Sequence, residues 1–104
     1  MTSPLTPEQH VAWALARTVR SRREDLHMSQ DDVAFSAGIN RSTIQCLENA
    51  VSDLKTRVPA NPRLHTLFKL ADALDLTIGE LLKNVEKAYG GPHASIDIEI
   101  RRNK

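Results

Sequence analysis

Aromatic residues are scarce in this 104-residue chain, at 4% of the total, and there is a single cysteine, Cys46. One cysteine excludes an intramolecular disulfide and cannot supply a zinc site, and His10, His27, His65 and His93 show no ligand spacing. No apolar run approaches the roughly 18 residues of a membrane span, and no signal-like segment is visible, so a cytoplasmic protein without a membrane partner is expected. No glycine-rich phosphate loop, Ser/His/Asp pattern or paired acids stand out. An enzyme is not expected, nor any cofactor or metal. Charge of one sign is not in excess either: 14 basic and 13 acidic residues leave a net charge of +1. Total charge therefore does not announce a nucleic-acid partner.

What is present is a helical pattern. The length suits one domain with a modest core and leaves no room for a separate ligand-sensing or self-cleaving domain. Thr6-Pro7-Glu8-Gln9 combines an N-cap, a proline at the first helical position and a capping-box glutamine. Val11, Leu15, Val19 and Leu26 then give a first helix an apolar face, with an end near Asp25 and Trp13 pointing elsewhere. Ser29 caps a second helix with Asp32 at the box position, and Val33, Ala34 and Ala37 on its inner side. Gly38 can adopt the positive φ that ends such a helix. Asn40 is read as the cap of a third helix, with Ile44 and Leu47 facing inward.

Residues 50–60 read as a loop. Asn61-Pro62 repeats the cap-then-proline start, and Leu64, Leu67, Phe68, Ala71 and Leu74 predict the inner face of a fourth helix. Thr77-x-x-Glu80 opens a fifth through Leu81, Leu82 and Val85, stopped by Gly90-Gly91-Pro92. The tail then alternates Ile96, Ile98 and Ile100 with charged residues, the period-2 signature of a half-buried strand. A lone strand needs a partner, and the simplest is the same strand of a second copy. The expected fold class is thus all-α, five helices with a C-terminal β-strand tail. Residues 1–5 are expected to be a flexible N-terminus, 6–89 the helical domain, and 90–104 a linker and strand that either serves dimerisation or folds onto its own chain while the fifth helix joins the copies.

The segment 29–49, SQDDVAFSAGINRSTIQCLEN, carries the functional argument. With Ile44 and Leu47 inward, steps of about 100° per residue place Ser42, Gln45, Cys46 and Asn49 on the opposite flank, with Arg41 in the first turn. Ser29-Gln30, Val33-Ala34, Gly38-Ile39, Ile44 and Leu47-Glu48 resemble the helix-turn-helix of the lambda-repressor/Cro-type family, also called the xenobiotic-response-element type. The likeness extends upstream to Arg20 and Arg23, and downstream to Pro62, Leu67, Ala71, Leu74 and Leu81-Leu82, covering roughly residues 11–84. The chain departs from the family where Asn49-Ala50 replaces a glycine common after the Glu48 position, and where the loop to the fourth helix is longer.

The resemblance implies that the third helix enters the major groove of double-stranded DNA while the second lies across the backbone. It makes Arg41, Ser42, Gln45, Cys46 and Asn49 candidates for base contact. Gln30, Asn40 and Thr43 become candidates for phosphate contact, joined by Lys55 and Arg57, whose bland alternative is to keep an exposed loop soluble. Arg41 can pair with guanine and Gln45 with adenine, whereas Cys46 can only touch a thymine methyl. Arg23 and Glu48 are implied to form a structural ion pair between the first and third helices; Arg17 and Arg22 are expected to face solvent.

The function so implied is a sequence-specific transcriptional regulator, a repressor binding a near-palindromic operator as a homodimer. One alternative is an antitoxin that binds both DNA and a toxin; an antirepressor is another conceivable protein partner. A further alternative is a protein–protein adaptor without DNA binding. Trp13 and Phe35, off the predicted core faces, are either isolated exposed aromatics or packing sites for the tail, the N-terminal segment or a partner.

Overall fold

The computed structural model describes residues 5–90, which form five helices: α1 (Pro7–Asp25), α2 (Gln30–Ala37), α3 (Arg41–Glu48), α4 (Leu64–Ala73) and α5 (Ile78–Tyr89). Three of them start with the same local device. Thr6, Ser29 and Thr77 each accept a hydrogen bond from the backbone N–H three residues on, and Gln9, Asp32 and Glu80 reciprocate to the cap backbone. Each box satisfies two backbone donors, one in the first turn and one at the cap itself. The hydrogen bonds from Ser29 and Thr77, backbone first and hydroxyl second, hold the Asp32 and Glu80 carboxyls below their ordinary values.

The other two starts differ from expectation. Asn40 stands at the N-cap of α3 but makes no side-chain cap; its carbonyl accepts from Thr43 and Ile44 instead. Helix α4 begins at Leu64 rather than at Pro62, with Arg63 as an extended N-cap (φ −67°, ψ 152°). The reason lies upstream. Ser52 N–H donates to the Val58 carbonyl (2.8 Å) and Ala60 N–H to the Ala50 carbonyl (3.0 Å), forming an isolated antiparallel bridge of Val51 with Pro59. This bridge keeps the chain extended as far as Ala60, and Pro62 disfavours the helical region at Asn61.

One core joins all five helices. Leu15 and Val19 from α1 meet Val33 and Ala34 from α2, Ile44 and Leu47 from α3, Leu70 and Ala71 with the following Leu74 from α4, and Leu81 from α5. A second cluster is made of small side chains: Ala12, Ala16 and Ala50, with Ala60 packed on it. These let α1 come close to the segment leaving α3. The buried face of α4 is Leu67, Leu70, Ala71 and Leu74, rotated by roughly 50° from the predicted face. Leu64 (66% exposed) and Phe68 (46%) therefore lie outside the core, contrary to expectation. Leu70 takes the place that apolar spacing assigned to Phe68.

Arg22 also departs from expectation. It is half-buried, and its Nε donates to the Leu74 carbonyl at 2.8 Å, with Nη2 on the Asp75 carbonyl at 3.3 Å. A guanidinium from α1 thus satisfies carbonyls left open at the C-terminal end of α4. The expected strand over Ile96, Ile98 and Ile100 lies outside the described residues; among those described there is no sheet. No described helix is long and apolar enough to cross a membrane.

Between α1, α2 and α3 sits a buried carboxylate. Glu48, the last residue of α3, is 2% exposed. Arg23 grips it with both forks, Nε to Oε2 at 2.7 Å and Nη2 to Oε1 at 2.9 Å. Gln30 Nε2 (3.1 Å) and Arg20 Nε (3.3 Å) also donate to Oε1, while Arg23 Nη1 reaches the Met28 carbonyl at 3.0 Å. Burial by itself raises the Glu48 pKa, but the hydrogen bonds from Arg23, Gln30 and Arg20 with the Arg23 charge outweigh it. The net displacement is below the ordinary carboxylate value. The Arg23 guanidinium is pushed up in turn, chiefly by its hydrogen bonds to Glu48.

Because Glu48 binds its proton less tightly folded than unfolded, its contribution to stability is complete above the ordinary value of 4.5. It is lost as pH falls from there towards the lower folded value. Acid denaturation followed by circular dichroism should show stability declining below that point, and Glu48→Gln should flatten the decline. The decline will not vanish, because Asp32 and Glu80 titrate with the same sign. Glu48→Ala, which strands Arg23, should cost about 3 kcal/mol in urea unfolding, the low end for a buried pair because half of Arg20 remains in water. At Gly38, with φ of 69°, an added Cβ meets nothing within 4 Å, so only backbone strain opposes it. Gly38→Ala should cost about 1 kcal/mol and Gly38→Asn less in the same assay.

Candidate nucleic-acid interface

Helix α3 has two unlike sides because of how it is seated. Ile44, Leu47 and Glu48 are buried, whereas Arg41 and Ser42 are exposed and Thr43, Gln45, Cys46 and Asn49 are half-buried. Gly38, in the left-handed conformation, donates its N–H to the Ala34 and Phe35 carbonyls and ends α2. The Ile39 N–H follows onto Ala34 at 2.9 Å. That sharp exit, together with the small buried side chains of Ala34 and Ala37, packs α2 and α3 against each other and turns the polar flank of α3 outward. The flank is held there by its far end, since Glu48 is fixed to α1 and α2.

The base-contact candidates do not form one uniform surface. Arg41 stands in the first turn with its Nε 3.1 Å from Asp31 Oδ1, and both side chains remain largely in solvent. Ser42 and Cys46, with the phosphate candidate Thr43, line a shallow cleft of about 400 Å³ whose other wall includes Val51, Asn61 and Arg63. Gln45 lies on the opposite edge of the flank, one turn from Arg41. Asn49 is folded back, its Nδ2 donating to the Gln45 carbonyl at 2.8 Å, so its amide donor helps close the C-terminus of α3.

Of the phosphate candidates, Gln30 has its amide nitrogen committed to Glu48, which leaves the carbonyl oxygen and the first-turn N–H groups of α2. Asn40 is exposed and its side chain caps nothing. Lys55 and Arg57 are exposed on the loop after α3. The loop is ordered by its own backbone: Lys55 N–H donates to Asp53 Oδ1 (2.7 Å) and Arg57 N–H to the Asp53 carbonyl (3.0 Å). Arg57 adopts φ of 61°, which lets the chain reverse ahead of the Val51–Pro59 bridge.

Two participants escaped sequence reasoning. The contact of Asp31 with Arg41 spans the turn with no local signal in the pattern. Arg20 joins Glu48 from the side, which helical spacing from Arg23 permits but does not require. Among the described residues no group of His, Cys, Asp and Glu is placed to hold a metal ion.

The helix-turn-helix family model matches residues 19–81. Among solved structures, the restriction-modification controller protein C.AhdI from Aeromonas hydrophila is 30% identical, covering 67% of this chain and 94% of that one with a TM-score of 0.56. The clp gene regulator ClgR from C. glutamicum is 19% identical over 83% of this chain and 95% of that one, with a TM-score of 0.59. The hypothetical transcription factor NHTF from Neisseria is 22% identical over 94% and 95%, with a TM-score of 0.58. At these lower identities the last two speak to the fold. A comparison with curated proteins found no match. The family match spans α2, the turn and α3, and takes in the Arg23 and Glu48 that lock them: this chain belongs to the lambda-repressor/Cro-type helix-turn-helix family of DNA-binding transcription regulators.

Proposed function

We propose that this protein is a sequence-specific repressor that occupies a near-palindromic operator as a homodimer and reads each half-site with α3. The observation that carries the reading is the outward flank of α3, where Arg41, Ser42 and Gln45 project from a helix anchored at its inner side by Ile44, Leu47 and Glu48. Arg41 pairs with guanine O6 and N7, and Gln45 with adenine N6 and N7. Ser42 adds a hydroxyl to a base edge, and Cys46 offers only a weak apolar contact. Asn49, its Nδ2 folded back on Gln45, contributes through its amide oxygen. Gln30, Asn40 and Thr43 hold the phosphates beside the groove, with Lys55 and Arg57 on the following loop. The likeness to the controller C.AhdI supports a regulatory role for this arrangement.

Two features support a homodimer. Leu64 and Phe68, four residues apart on one face of α4, are apolar side chains with no place in the core. In the sequence, Ile96, Ile98 and Ile100 alternate with charged residues, a pattern suited to strand pairing between copies. Two copies related by a two-fold axis set their α3 helices on half-sites about 34 Å apart, one turn of duplex. A second reading, in which the DNA-bound protein also takes a protein partner such as a toxin or antirepressor, is favoured by Phe35. This aromatic on α2 is 91% exposed. The polar flank of α3 speaks against a purely protein-binding adaptor.

Selection from a random duplex pool should return a two-fold symmetric site; a pool with no common sequence overturns the reading. Arg41→Ala should relax preference at one base pair per half-site, a loss of about 1–3 kcal/mol of discrimination. Lys55→Ala and Arg57→Ala should instead weaken all sequences alike, each lowering the slope of log K against log salt by about 0.9. Sedimentation should show monomers on deletion of residues 94–104 if the strand stripe joins the copies. Monomers from Leu64→Asp with Phe68→Asp would assign the joint to α4.

A further inference from the structure

We infer that Asp31 is a specificity-determining positioning residue, which holds Arg41 for guanine while its own charge lowers affinity for every duplex alike. The inference rests on the DNA-reading role proposed above for α3. Asp31 is the second residue of α2 and Arg41 the first of α3, so the pair links the first turns of the two helices that face the duplex in that reading. Arg41 Nε lies 3.1 Å from Asp31 Oδ1. The contact is at the root of the guanidinium, and among the described residues nothing else pairs with Arg41. Its two terminal nitrogens are thus free to present the fork that guanine O6 and N7 accept.

Beyond placing a negative charge in the first turn of α2, Asp31 has no task in its own helix. The N-terminal box of α2 is closed by Ser29 with Asp32, and the buried junction is served by Gln30 with Glu48. Asp31 lies between these two committed residues with its side chain 73% exposed. An unguided arginine must surrender rotamer freedom when it reaches a base; one already steered by a carboxylate surrenders less. The same carboxylate stands where phosphates approach and repels them whatever the sequence. Discrimination gains from the first effect alone, because a penalty common to every sequence cancels in a difference of affinities; the second lowers binding to all duplexes together.

The two effects have opposite signs on removal, which separates this role from a merely structural one. In site selection and salt-series anisotropy titrations of the full chain, Asp31→Ala should reduce guanine preference at the Arg41 base pair by about three- to tenfold. Affinity for random-sequence duplex should at the same time rise by roughly two- to eightfold at 0.1 M salt, as one charge's worth of counterion release returns. Asp31→Glu should restore part of the preference. In an Arg41→Ala background, Asp31→Ala should leave base preference unchanged while still raising random-sequence affinity.

A uniform loss of affinity with base preference intact overturns the inference, as does an equal shift of preference in the Arg41→Ala background. In both cases the DNA-reading role of α3 still stands. If the native chain selects no sequence at all, both fall together.

Discussion

The orientation of α3 depends at its C-terminal end on one buried carboxylate. Glu48 brings a negative charge to the junction of three helices, a position that is unfavourable unless every lone pair is met. Four donor groups meet them: the two Arg23 nitrogens, Arg20 Nε and Gln30 Nε2. An apolar residue of similar volume would fill the same space, but it would not fix an angle. The Arg23 fork does so, because two parallel hydrogen bonds define a plane as well as a distance. A third Arg23 nitrogen then ties this plane to the Met28 carbonyl, just ahead of the Ser29 cap that starts α2. The two helices of the motif are thereby referenced to α1, and the short α3 needs no stability of its own.

That dependence explains how a helix of only eight residues can be held as a reading element. In isolation such a segment would be mostly unfolded, since nucleation is costly and few bonds follow it. Here Ile44 and Leu47 supply burial, Gly38 sets the entry, and Glu48 clamps the exit. The polar flank is free of structural duty except at its end, where Asn49 closes the last turn. Stability and recognition are divided between the two sides of one helix, so side chains on the outer flank can vary without loosening the seat.

Much of this was legible from the chain because the signals are local. Thr6, Ser29 and Thr77 each carry their box partner three residues on, and Gly38 marks a reversal that only a residue without Cβ makes cheaply. Helix periodicity found Leu15, Val19, Val33, Ile44 and Leu47. It failed at α4, where Leu64, Leu67, Leu70 and Phe68 give two overlapping apolar faces. Which one is buried depends on what α2 and α5 present to it. It failed again where partners lie far apart in sequence: Arg22 with the Leu74 carbonyl, and Asp31 with Arg41. Yet Arg22 falls on the same helical face as Val19 and Leu26, a spacing that argues for burial and outweighs its charge. The start of α4 differs because Asn61-Pro62 is a good local cap signal, overridden by the Val51–Pro59 bridge that keeps the chain extended as far as Ala60.

A net charge of +1 sets the terms on which such a molecule can act on DNA. Long-range attraction is weak, so little sequence-independent binding is available to mask a poor choice of site. Acidic residues intrude on the proposed contact surface itself, with Asp31 at the first turn of α2 and Asp53 in the loop that carries Lys55 and Arg57. Each subtracts from affinity for all duplexes equally, and Asp31 does so while touching the side chain that reads a base. Under the proposed function, affinity then has to come from two sources that are themselves selective. One is the small set of directed contacts from α3, and the other is the doubling of that set when two copies engage one duplex. The second multiplies the first only when both half-sites are correctly spaced, because the linked copy binds at an effective concentration fixed by geometry. Under that function a near-neutral regulator needs its partner copy to bind tightly, and the apolar Leu64 and Phe68, left outside the core on one face of α4, have a physical reason to seek one.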